Sequence, residues 1–347
     1  MMKKGIFYIP CYPKETKLDK IVNEIKSSVI FCDKHNFKEA YFGEHLADKY
    51  EKITSSLNMI SAISLLTKRI KLSSLTTNIT FYNPSVLASH IALVDNLCKG
   101  RLNLGIGSGS NISDVESVNL IDQDNRSKMI EILSIIMKLF KSKNLVNLKT
   151  KNFKVSTIKK GNKNLGLGFY NPLYKSRNNL EIVIPALNPD SRNVKNAAIK
   201  KWTIVISNFC TQDVVRNHVE NYISNSPLAR KDALKKIKLA RFIFVTSDKK
   251  NIKKLFKPSS PHMGVLKTIY SKLKHYNRLD CFGDYKKLSL NHLAQKLFIY
   301  GNQKEVTQKI RNFKKEFGEV DTIVYTHVPK VKNQEFNNSL KLFSKCN

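Results

Sequence analysis

The sequence predicts an α/β fold in which eight parallel strands close into a (β/α)8 TIM barrel. Two patterns carry that prediction. Short apolar, β-branched runs recur along the chain, and stretches with the i, i+3, i+4 spacing of amphipathic helices separate them. Strands alternating with helices imply a parallel sheet. Eight such units match the closed barrel, whose usual size is about 250 residues. The chain has 347 residues, so a single domain over 1–347 with a surplus is expected. An open doubly wound sheet is the rival arrangement.

The first run is GIFYIP at 5–10, and a helical pattern over 18–37 follows. EAYFG at 39–43 precedes a helix over 55–67, with Leu57, Ile60, Ile63 and Leu66 on one face. IKLSSLTT from Ile70 leads into a helix over 84–97. Pro84 suits its first turn, where a missing N–H costs no intrahelical bond. RLNLGI from Arg101 is the fourth run, and a helix over 126–140 comes after it. LEIVIPAL from Leu180, a helix over 191–199, WTIVIS from Trp202, a helix over 213–223 and KLARFIFV at 238–245 continue the alternation. Helical stretches fill 251–298, a helix spans 303–317, and DTIVYTHV from Asp321 is the last run before a helical tail at 337–343. The surplus lies in 141–179, after the fourth helix, and 249–297, after the seventh strand. Both are expected as insertions at the C-terminal ends of strands 4 and 7, beside the site, the second supplying a lid.

Composition narrows the function classes. Hydrophobic residues make up 41%, enough to bury a core. No apolar run reaches the roughly 18 residues of a membrane span, and the apolar stretch after the N-terminal lysines is too short for a signal peptide. A cytoplasmic protein with no membrane partner is expected. Six cysteines are scattered without a CxxC pair, which argues against a zinc site or a disulfide framework. Sixty basic residues against 27 acidic give a net charge of +33. Fifty of the sixty are lysine and they run along the whole chain, whereas nucleic-acid readers favour the two-pronged arginine fork. Compositional drift accounts for this better than a nucleic-acid footprint.

Gly100, Gly105, Gly107 and Gly109 fall together in KGRLNLGIGSGS. Glycine so concentrated means a tight turn or a backbone lying close to something. GxGxG after a strand suggests a dinucleotide fingerprint, but that motif sits at a first strand and opens a helix at once. Here the polar, aperiodic NISDVESVNLIDQDN follows and reads as a loop over a site. A glycine-rich turn without a ligand is the alternative.

These residues, with others in the same order, resemble the bacterial-luciferase-like flavin monooxygenases. NPSVLASHIALVDNLCKGRLNLGIGSG resembles the family's third helix and fourth strand, YFGEHL its second-strand ending, NPDSRNVKNAAIKKW its phosphate-binding turn, and IYGNQKEVTQKI its helix start near the C-terminus. The similarity runs from Gly5 to about Val328. IPCYP, EHLADKYEKI and SNF resemble the limonene 1,2-monooxygenase-like branch. The resemblance implies a (β/α)8 barrel, in agreement with the strand count. It also implies FMN, or in some branches a 5-deazaflavin, at the C-terminal ends of the strands. The implied enzyme is an oxidoreductase in which reduced FMN, supplied by a separate reductase, reacts with O2 to a C4a-hydroperoxide that oxygenates an apolar organic substrate. Deazaflavin-dependent hydride transfer, and a flavin-binding protein that has lost catalysis, stay open as alternatives. Relatives commonly form homodimers.

On this resemblance His45, with Glu44, is the catalytic group at the end of the second strand. An imidazole of unperturbed pKa about 6.5 suits proton transfer; a strand-end histidine bonded to a carbonyl is the plainer reading. His327 ends the eighth strand, and barrels draw catalytic residues from such ends, although a packing histidine also fits there. Ser74 and Thr76, with Thr77 and Asn78, would line the ring at the third strand, where the family carries smaller or apolar residues. Gly107, Ser108 and Gly109 would lie against the flavin, with Asp114 as the loop's acidic residue or a helix cap. Asn188, Ser191 and Arg192, with Asp190, would hold a phosphate, since a helix N-terminus, a hydroxyl and a cation suit one. A plain N-cap is the alternative. Asn208, with Phe209, would reach the cofactor or substrate from the sixth strand. Lys201 stands where the family often has glycine, Trp202 is expected in the core, and no metal site is expected.

Overall fold

The computed structural model describes residues 3–9, 12, 14–177, 179–272, 289–328 and 331–346. In chain order, β1 (Lys3–Tyr8) leads to α1 (Leu18–Lys34), β2 (Glu39–Phe42) to α2 (Ser56–Ser64), and β3 (Lys71–Ser74), through the two-residue β4 (Thr77–Asn78), to α3 (Pro84–Leu97). β5 (Leu102–Gly107) is followed by α4 (Ile112–Ser117), α5 (Asn125–Lys141) and a hairpin of β6 (Asn147–Lys149) and β7 (Lys154–Ser156). Next come β8 (Glu181–Ala186), α6 (Arg192–Ile199), β9 (Thr203–Ile206), α7 (Gln212–Asn225), α8 (Arg230–Lys235) and β10 (Ile237–Val245). The chain ends with α9 (Lys249–Leu255), α10 (Pro261–Leu266), α11 (Leu290–Leu297), β11 (Phe298–Gly301), α12 (Gln303–Glu316), β12 (Thr322–His327) and α13 (Asn333–Ser344).

Eight parallel strands close the barrel in the order β1, β2, β3, β5, β8, β9, β10, β12 and back to β1. They are the eight apolar runs of the sequence. Side chains alternate across each strand. Ile6, Tyr8, Ile323 and Tyr325 belong to the large cluster between sheet and helices. Phe7, Tyr41, Val183, Val205, Ala240 and Val324 form a smaller cluster inside. At the strands' N-terminal end the buried Lys238 ammonium lies 2.9 Å from Asp321 and 3.8 Å from Glu39.

β10 changes neighbour along its length. Its lower residues pair with β12 from Lys238 to Arg241, and its upper residues pair with β11 from Phe242 to Val245. The segment 249–297 follows the C-terminal end of β10. Its Leu255, Met263, Leu266 and Leu293 pack with Phe242 and Phe244 in a separate cluster. Residues 273–288 of that expected lid lie outside the described residues, as do Pro10, Cys11 and Cys281.

The segment 141–179 corrects an expectation. It does not sit at the C-terminal end of the fourth strand, because α5 intervenes and returns the chain to the strands' N-terminal end before β8. Arg177 donates to the Leu102 carbonyl at the start of β5 (3.0 Å) and pairs with the buried Asp95 of α3 (2.7 Å). Asp95 also accepts the Tyr174 N–H (2.9 Å). The segment also holds the β6–β7 hairpin, in a stretch rich in lysine and asparagine.

Arg177→Met leaves the Asp95 carboxylate buried without its cation, so a loss of about 3 kcal/mol in denaturant unfolding is expected. Two buried histidines, His218 of α7 and His262 of α10, set a pH dependence. Burial lowers the first to about 4 and, with the nearby His327, the second to about 3. The unfolded chain therefore binds more protons than the native one below the ordinary histidine pKa. Stability is full above pH ~6.5 and falls on acidification, by about 2 kcal/mol per histidine at pH 5. His262→Phe should flatten the melting-temperature profile between pH 7 and 5 by about half.

Candidate functional site

The C-terminal ends of β2, β4, β5, β8 and β9 bring most of the expected residues to one face of the barrel. β2 runs out into Gly43, Glu44 and His45. His45 Nδ1 lies 2.7 Å from Asp114 Oδ2, its ring partly open to solvent and the carboxylate buried. The other carboxylate oxygen accepts the backbone N–H groups of Leu46 (3.0 Å) and Ala47 (2.7 Å). Asp114 stands in the first turn of α4, a helix capped by the Asn111 side chain, which accepts from Ser113 N. One acid thus aims the imidazole and fixes the chain that follows it. The stretch expected to be loop forms the short α4, and the role of Asp114 depends on a partner 69 positions away.

Glu44 faces the other way. Its Oε2 accepts from both Ser56 N and Ser56 Oγ (2.7 Å each), and Oε1 accepts from Asn78 N (2.8 Å). Ser56 opens α2, whose N-terminal dipole favours an anion there. Burial still raises the carboxyl pKa, against the pull of these bonds. The geometry is that of a tie joining β2, α2 and β4.

The glycine cluster has an internal explanation. Ser74 Oγ donates to the Gly105 carbonyl and accepts the Gly105 N–H, both at 2.9 Å. The link from β3 to β4, with a cis peptide at Leu75–Thr76, crosses close over β5. A Cβ at Gly105 would fall 2.0 Å from Ser74 O, and one at Gly107 2.3 Å from Thr76 Oγ1. Gly109 has φ +80° and its Cβ would meet the Phe81 ring at 2.9 Å. The protein's own chain therefore requires small residues here. Thr80 Oγ1 donates to the Ser108 carbonyl (3.2 Å), which pins the same loop, and Thr76 stays partly exposed beside it.

At β8 the chain turns into α6. Asp190 is clasped by Asn217, which accepts its N–H (2.9 Å) and donates to its carboxylate (2.8 Å). Ser191 is the N-cap of α6, yet its hydroxyl makes no capping bond, and no acid stands in the first turn. Asn188 and Arg192 are exposed. This turn offers N–H groups, a hydroxyl and a guanidinium together. Beyond β9, Asn208 is buried and its Nδ2 has no acceptor. His327 is not brought to this group. Its Nε2 lies 2.7 Å from Glu24 of α1, and its ring packs on Phe336 of α13, between barrel wall and helices. Trp202 packs partly buried against the outer core, as expected.

Asp114→Ala strands two backbone N–H groups and frees the imidazole. A loss of about 2 kcal/mol is expected in unfolding titrations, with faster amide exchange at Leu46 and Ala47. Asp114→Asn keeps an acceptor for those amides and should recover part of it.

The chain is 23% identical over 358 aligned positions to 2,5-diketocamphane 1,2-monooxygenase 2 of Pseudomonas putida, a match covering 96% of this chain and 94% of that protein. It is 27% identical over 135 residues to limonene 1,2-monooxygenase of Rhodococcus erythropolis. That match spans 39% of this chain and only 35% of the relative. Among solved structures, the oxygenating constituent of 3,6-diketocamphane monooxygenase of Pseudomonas putida, in complex with FMN, superposes with a TM-score of 0.85 at 19% identity over 99% of this chain and 97% of that one. An F420-dependent secondary alcohol dehydrogenase superposes with a TM-score of 0.71 at 14% identity over 100% and 98%. Both structural likenesses speak to the fold. The family model described as luciferase-like monooxygenase matches residues 2–161, the part of the chain that carries His45, Asp114 and the glycine-bearing β5.

Proposed function

We propose that this protein is a flavin-dependent monooxygenase that uses reduced FMN and O2 to oxygenate an apolar organic substrate. The observation that carries the reading is the His45–Asp114 pair at the barrel mouth, an oriented imidazole that solvent reaches. Two unspent groups fit FMN: the Ser191 hydroxyl at the start of α6 and the orphaned Asn208 amide. Ser191 and Arg192 would hold the phosphate on the α6 N-terminus. Asn208 Nδ2 would donate to a ring carbonyl, while Thr76 and the backbone of Gly107, Ser108 and Gly109 border the ring. With Nδ1 held by Asp114, His45 Nε2 is the nitrogen that accepts or returns a proton. Bound reduced FMN supplies the two electrons that send one oxygen atom of O2 to substrate and the other to water. The cluster of α9, α10 and α11 over Phe242 and Phe244 would keep water away while this happens. In this reading Glu44 and His327 serve the frame around the site.

The flavin would come reduced from a separate reductase. A homodimer is also part of the proposal. α3 exposes Val86 and Leu93, and Leu65 and Leu66 after α2 are exposed too; these apolar side chains are what a partner copy would cover.

Binding separates the parts of this reading. Ser191→Ala and Arg192→Ala should each weaken FMN at least about tenfold, as expected for charge-assisted bonds, and leave riboflavin, which lacks the phosphate, unchanged. His45→Ala should lower substrate-dependent O2 consumption about 10²–10³-fold with FMN affinity retained. O2 uptake that gives only hydrogen peroxide with every apolar substrate would overturn the oxygenase reading. Hydride exchange with a 5-deazaflavin in the absence of FMN binding would replace it with the fold's other chemistry.

A further inference from the structure

We propose that the arm at 157–169, at the strands' N-terminal end of the barrel, docks the protein on an anionic lipid bilayer. The arm exposes four large apolar side chains within twelve residues. Ile158 is 50% exposed, Leu165 70%, Leu167 53% and Phe169 39%. They are not on a loose loop. Asn162 N donates to Leu167 O (3.0 Å) and Leu167 N to Asn162 O (2.9 Å). The Asn162 side chain accepts from the N–H groups of Asn164 and Leu165. The tip is therefore a closed turn that holds two leucines out in water, with little ordering entropy left to lose on insertion.

Along the chain the charge on either side of the tip is one-signed, with Glu131 of α5 reaching the far end of the stretch at Asn152. From Lys141 to Tyr170 the chain carries eight lysines and no Asp, Glu or Arg, and all eight lysines are exposed. That is eight excess charges in thirty residues, against 33 in 347 for the whole chain, so general drift does not account for it. None of the eight is ion-paired among the described residues. Exposed apolar side chains interleaved with Lys159, Lys160 and Lys163 match an interface whose headgroups are negative and whose interior is hydrocarbon. No helix among the described residues is long and apolar enough to cross a membrane, so the attachment is peripheral.

Other occupants match less of this. A second copy on a two-fold axis would set the same lysines against each other. A nucleic acid would use the lysines and leave the leucines in water. A stable protein partner buries about 800 Å² per side, and a convex six-residue turn offers little of that.

The test is co-sedimentation of the full chain with vesicles of phosphatidylcholine alone and of phosphatidylcholine mixed with phosphatidylglycerol, at physiological salt, about 0.15 M. Binding to the mixed vesicles and not to the neutral ones is expected. The double variant Leu165→Ser, Leu167→Ser keeps every charge and should bind the mixed vesicles at least about tenfold more weakly. Lys159→Glu with Lys160→Glu and Lys163→Glu should abolish binding. Unchanged melting temperatures would show that both variants fold. Absence of binding to mixed vesicles would overturn the proposal. So would equal binding by the leucine variant, because the overall charge of +33 would then suffice.

Discussion

A carboxylate buried against backbone N–H groups fixes the mouth of this barrel, and it does so at two places. Removing a carboxylate from water is costly unless donors replace the lost hydration. Glu44 meets that demand with Ser56 and Asn78, and Asp114 meets it with Leu46, Ala47 and His45. Each satisfied oxygen joins segments far apart in the chain. The end of β2, the start of α2, β4 and α4 are thereby set relative to one another. The direction of the His45 ring follows from that arrangement and not from β2 alone.

The strand alternation decides which end residues can reach the mouth. In β12, Val324 points into the barrel, so Tyr325 and His327 point out, where Phe336 and Glu24 receive the histidine. Membership of a strand's last residue in a site is thus a matter of parity as much as of position. The same reasoning separates the two ends of the molecule. A connection that follows a helix lies at the strands' N-terminal end, which is where Arg177 anchors the 141–179 segment. The surface that it builds can vary without touching the chemistry at the other end.

Much of this was legible in the sequence, for stated reasons. Most of the eight barrel strands showed because they are largely apolar runs buried on both faces, while β3, KLSS, showed by its place between two helical patterns. β11 was missed because FIYG is four residues long and joins α11 without a turn residue between them. The β6–β7 hairpin hides in lysine and asparagine, and α4 is a six-residue helix too short to show a period. His45 was readable as a strand-end residue, but its partner was not, since no local pattern links positions 45 and 114. The glycines were read as room for a ligand. The structure gives Gly105 and Gly107 a nearer cause, the β3–β4 link lying on β5. The outward turn of His327 follows from alternation once the structure places Val324, three residues earlier, inside the barrel.

The change of neighbour along β10 bears on how the molecule comes apart. Barrel closure uses only its lower residues, which bond to β9 and β12. Its upper residues bond to β11 and carry the α9–α11 cluster above them. The hydrogen bonds that hold β11 are therefore a different set from those that close the cylinder. Opening of the first set would leave the second intact, so release of the α9–α11 cluster would be a sub-global event with its own, smaller free energy. The pairing pattern thus divides the hydrogen bonds of β10 into a set that closes the ring of eight strands and a set that does not.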